Sequence, residues 1–206
     1  EQRIASQFFA GDAVKGFPAM AVSTLMNASP VMVYAGQELG EQAHEAEGFS
    51  GFDGRTTIFD YWKVETLCRL QSSDYRLQIG ENVIFDLYRR LLSIANREVV
   101  AEGKFYDLMW LNQGNQQFDS SRQYVFVRYT DKEALFVVAN FAGEERDVRV
   151  NLTHHLFEAM GCEAFGKVVA TDLMTDAATE LNFSAEEPVQ LTLKPYQVCA
   201  YLIKRQ

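Results

Sequence analysis

Up to Asn96 the apolar side chains fall at helical spacings or in short continuous runs; beyond it they alternate with polar ones, so the chain changes period near residue 97. Gly11 to Gly16 reads as a loop, followed by a helix with Pro18 in its first turn, where a missing N–H costs little. The body of that helix, Ala19 to Met26, is apolar nearly all round, which predicts cover on most sides. Pro30 ends it. Val31-Met32-Val33-Tyr34-Ala35 then predicts a short strand buried on both faces, the kind found in parallel sheets. From Gly36 to Thr57 no period holds and Gly48, Gly51 and Gly54 punctuate the text; structureless connections beyond about 12 to 15 residues are uncommon and often functional, which predicts a loop capping a cleft. From Leu77, apolar positions Val83, Ile84, Leu87, Tyr88, Leu91 and Ile94 oppose Glu81, Asp86, Arg89 and Arg90, predicting a helix that packs on one side.

Strands are predicted at Lys104 to Leu111, Tyr124 to Thr130, Ala134 to Phe141, Asp147 to Leu152, Lys167 to Thr171, Thr179 to Phe183, Val189 to Leu193 and Gln197 to Ile203. Val125, Val127 and Tyr129 alternate with Tyr124, Phe126 and Arg128, and Val189, Leu191 and Leu193 with Gln190 and Thr192, as strands with one buried face do. Trp110, inside a strand pattern, is expected in the core. A short helix from Thr153 to Met160 is predicted to interrupt the strands, with Thr153 as N-cap and Gly161 as stop. Many short strands at this spacing suggest an antiparallel sandwich. The fold class expected is thus α/β followed by all-β, with domains at 1–97 and 98–206.

Composition narrows the function. With 48% hydrophobic side chains in 206 residues, global disorder is excluded. Nineteen basic against 28 acidic residues leave a net charge of -9, which repels phosphate backbones, so nucleic acid is not expected as a partner. No apolar run approaches the roughly 18 residues that cross a bilayer, and no membrane partner is expected. Cys68, Cys162 and Cys199 form neither a metal knuckle nor a disulfide framework and read as small buried hydrophobes. His154 and His155 are adjacent, a poor arrangement for a shared metal, and His44 reads as a solvated loop residue. Asn151-Leu152-Thr153 is a formal glycosylation acceptor, and the compartment is not legible.

Several segments carry a resemblance. Pro30-Val31-Met32-Val33-Tyr34-Ala35-Gly36-Gln37-Glu38-Leu39-Gly40 resembles the strand-eight signature of the α-amylase superfamily, glycoside hydrolase family 13: Pro, three residues, Tyr, one residue, Gly-Gln-Glu. Glu1 to Phe8 looks like the segment after that family's His-Asp pair, with Arg3 at its usual Arg position. Asp53 to Trp62 is similar to a loop reading Arg-Thr-Pro-Met-x-Trp, with the Pro-Met absent. Phe85 to Ile94, Val137 to Phe141 and Leu193 to Tyr196 resemble the eighth helix and two landmarks of the C-terminal domain.

The resemblance implies the last part of a (β/α)8 barrel, after strand seven through helix eight, plus a β-sandwich. Retaining glycoside hydrolysis needs a nucleophile and a general acid about 5 to 5.5 Å apart. The family is expected to draw these from strands four and five, so the resemblance implies no catalytic residue here. Arg3, Tyr34, Gln37 and Glu38 are expected to support the substrate cleft, with Phe49 and Phe52 exposed as sugar contacts and Tyr61 and Trp62 buried. The acids Glu38, Glu41, Glu45, Glu47, Asp53 and Asp60 read as solvated charge, with Glu38 as a hydrogen-bond acceptor beneath the loop; a new acid pair is the sharper alternative. The implied parent is a glycosidase acting on starch or maltooligosaccharides, and the fragment alone is expected to be inactive, without metal or cofactor. A non-catalytic carbohydrate-binding or structural module is the competing reading. A lone strand with unpaired edges predicts self-association or a missing N-terminal barrel portion.

Overall fold

Asp12 decides where the first helix begins. Its carboxylate accepts a hydrogen bond from the Val14 N–H at 2.8 Å, satisfying one open donor of the helix N-terminus, and α1 runs Ala13–Leu25. The stretch expected as a loop is therefore largely the first helical turns, and Pro18 sits inside the helix, not in its first turn. Gly16, Phe17, Pro18, Met20, Ala21, Thr24 and Leu25 are buried, and only the stripe of Lys15, Ala19 and Ser23 is exposed. The helix is covered on most sides, as its composition predicts.

In this computed structural model the described residues are 4–5, 11–42, 65–70, 72 and 82–205. The chain divides into two compact units, Glu1–Met20 with Pro30–Leu92, and Ala21–Ser29 with Ser93–Gln206.

In the first unit the strand expected at Val31–Ala35 does not form. Residues 31–33 are extended but belong to no ladder among the described residues, and Val31 and Met32 are 36% and 74% exposed. A parallel strand makes its hydrogen bonds only to neighbouring strands, and no strand of this unit is present among the described residues. The chain continues into a 3-10 turn, Gln37–Leu39, and later into α2, Glu65–Arg69. Helix α3, Val83–Ala95, begins on Asn82, whose side-chain oxygen accepts from the N–H groups of Ile84 and Phe85. Ile84, Tyr88, Leu91 and Ile94 form its buried face, as the spacing predicts, while Val83, expected on that face, is 63% exposed at the helix start; Asp86 bridges Arg89 and Arg90 outside.

In the second unit all eight predicted strands are present: β1 Lys104–Asp107, β2 Gln123–Tyr129, β3 Glu133–Asn140, β4 Arg146–Val150, β5 Gly166–Asp172, β6 Ala177–Phe183, β7 Val189–Leu193 and β8 Val198–Lys204. They pair antiparallel in a six-stranded sheet, order β1-β2-β3-β8-β5-β6, and a two-stranded sheet, β4-β7. Val125, Val127, Phe136, Val138 and Tyr201 from the first sheet share one core with Val148, Val150, Val189, Leu191 and Leu193 from the second. Two further short helices, α4 Glu98–Ala101 and α5 Met109–Asn112, precede α6, His154–Met160. The predicted caps of α6 are in place: the Thr153 hydroxyl accepts from the His155 N–H, and Gly161 ends the helix in the left-handed conformation.

Three expectations fail. Strand β7 has one buried face, but β2 is buried on both. Its second face carries Phe126 and Arg128, and Arg128 donates to the carbonyls of Met26 at 3.2 Å, Val100 at 2.5 Å and Gly103 at 2.6 Å. Strand β1 stops at Asp107 because the Asp107 carboxylate accepts from the Met109 N–H at 2.9 Å and starts α5, which leaves Trp110 57% exposed and outside the core. Of the cysteines, only Cys199 is buried; Cys68 is exposed. The two C-terminal motifs meet: Asn140 Nδ2 donates to the Lys194 carbonyl at 3.0 Å, and the Tyr196 N–H donates to the Ala142 carbonyl at 3.1 Å.

Candidate functional site

The Gly-Gln-Glu segment is built from backbone geometry first. Gly36 and Gly40 bracket the 3-10 turn with φ of 82° and 78°, a left-handed conformation that costs a residue with a Cβ about 1 kcal/mol or more. The turn closes on itself through Gln37 N to Tyr34 O at 2.8 Å and Leu39 N to Gly36 O at 3.0 Å. This fixes where Gln37 and Glu38 leave the backbone.

Gln37 is turned inward. Its Nε2 donates to the Tyr88 hydroxyl at 2.7 Å and lies 3.4 Å from the Met20 sulfur, while its Oε1 accepts from the Tyr34 N–H at 3.3 Å. Tyr88 itself is buried, edge-on to Phe17 with ring centroids 5.8 Å apart. Burial pushes its phenol up to about 12; the Gln37 hydrogen bond opposes the rise and the Glu38 charge adds to it. Gln37 is thus a strut joining the turn to α1 and α3, and Tyr34 is its neighbour in the same network. Glu38 is half-buried and accepts no hydrogen bond among the described residues.

The loop under which Glu38 is expected to accept lies largely outside the described residues; among those described, the buried acceptor is Glu41. That residue is 2% exposed, and its Oε2 accepts from the Thr66 N–H at 3.1 Å and the Thr66 hydroxyl at 2.5 Å, while Oε1 has no partner among the described residues. Glu41 therefore holds the start of α2, a contact whose other half lies 25 residues away and carries no local signal. Of the remaining expected site residues, Arg3, Phe49 and Phe52 lie outside the described residues, as do His44, Glu45, Glu47, Asp53, Asp60, Tyr61 and Trp62.

Other candidates resolve individually. His155 Nδ1 pairs with the Tyr106 hydroxyl at 2.8 Å, and His154 lies 3.8 Å from Glu186, so the two histidines have separate partners. Among the described residues no group of three or more His, Cys, Asp or Glu is placed to hold a metal ion. A hollow of about 360 Å³ in the sheet unit is lined by Glu98, Glu102, Lys104, Tyr129 and Asp131, with Glu98 already engaged by Lys132 at 2.8 Å. No helix among the described residues is long and apolar enough to cross a membrane.

No protein-family model matches the chain, and no curated protein matches it. Solved structures do. A noncanonic maltogenic alpha-amylase from Thermotoga neapolitana aligns over 94% of this chain and 38% of its own, with TM-score 0.57 and 14% identity. The trehalose-6-phosphate hydrolase of Bacillus licheniformis aligns over 100% and 42%, with TM-score 0.57 and 16% identity. AmyP in complex with maltose aligns over 92% and 34%, with TM-score 0.53 and 14% identity. At these identities the likeness is one of fold, and the chain spans roughly two fifths of the length of the structures it matches. Helices followed by antiparallel sheets, in the order seen here, are the shape of a portion of a family 13 glycoside hydrolase.

Proposed function

We propose that the chain is the C-terminal part of an α-amylase-type glycoside hydrolase, residues 1–97 completing the barrel and 98–206 forming the sandwich that comes after it in the sequence. The observation that carries this is the fold match: nearly the whole chain superposes on a minor portion of enzymes described as a maltogenic alpha-amylase and a trehalose-6-phosphate hydrolase. The sequence signature from Pro30 to Gly40 supports the same reading. In the parent, Arg3, Tyr34, Gln37 and Glu38 support the cleft at the carboxyl end of the barrel, where active sites of that fold lie. Phe49 and Phe52 contact sugar. The parent cleaves α-glucosidic bonds of starch or maltodextrins, a substrate class in keeping with the maltose and maltotriose complexes of AmyP.

The chain by itself does no such chemistry. The reaction requires two carboxyl groups in register across the scissile bond, and the segments that the family uses for them have no match in this sequence. Incubated with maltoheptaose, the chain releases no reducing ends above a buffer blank. Robust turnover that survives repurification would overturn the proposal.

A further inference from the structure

We draw no further inference here: the strongest candidate, the polar hollow of about 320 Å³ on the outer face of β4 and β7 lined by Gln117, Asp147, Arg149, Gln190 and Thr192, is an exposed sheet face whose carboxylate and hydroxyl already bond each other at 2.7 Å, and nothing in the structure shows what would occupy it.

Discussion

Arg128 shows how a single side chain can contradict its surroundings and still hold them together. It stands in a strand, buried among Phe126, Leu135 and Val137, without a carboxylate partner among the described residues, and burial pulls its pKa down. Three carbonyls take its place as acceptors. Removing the charge relieves desolvation, but each orphaned buried acceptor costs about 1 to 3 kcal/mol, so the acceptors win. Arg128→Met is expected to lower stability by about 2 kcal/mol or more in urea unfolding, and an unchanged midpoint would refute that. Tyr88 makes a pH-dependent contribution. Its folded phenol, at about 12, lies above the ordinary 10.0, so its stabilising effect is complete below pH 10 and is lost as pH rises toward 12. Tyr201 is pushed up as well. Following phenolate absorbance and circular dichroism together through this window should show the last tyrosines ionising only as helix signal falls. Free ionisation of all nine near pH 10 without unfolding would contradict the burial of Tyr88.

Elements here are set largely by their ends. Three side-chain acceptors, Asp12, Asn82 and Asp107, accept N–H bonds at the starts of α1, α3 and α5, and the Thr153 hydroxyl does the same for α6. Thr153 and Gly161 are legible because they flank an apolar run at standard positions. Asp12 and Asp107 are less so, since each sits where a competing loop or strand pattern overlaps the cap. Thr153→Ala should cost about 1 kcal/mol, because it removes the acceptor for one helix N–H, and thermal unfolding should register it as a lower midpoint. A midpoint equal to that of wild type would mean that packing of Leu156, Phe157 and Met160 alone sets the helix start.

For the molecule as a whole, the exposure of Val31 and Met32 bears on association. An apolar extended segment outside any ladder among the described residues is a template for another chain, so the protein is expected to associate as concentration rises. Light scattering at high concentration should report a mass above that of one chain; a strict monomer throughout would weigh against an open edge. Period and cap chemistry are local, so the eight strands, the caps of α6 and the buried stripe of α3 can be read directly from the order of residues. The same order is silent on the double burial of β2, on Glu41 as the buried acceptor, and on Val31 and Met32 standing outside any sheet among the described residues. Those outcomes depend on groups that arrive from elsewhere in the chain: the Met26 and Val100 carbonyls, Thr66, and neighbouring strands. Which of them arrive is settled by packing in three dimensions, because their partners are tens of residues away and leave no trace in the local pattern.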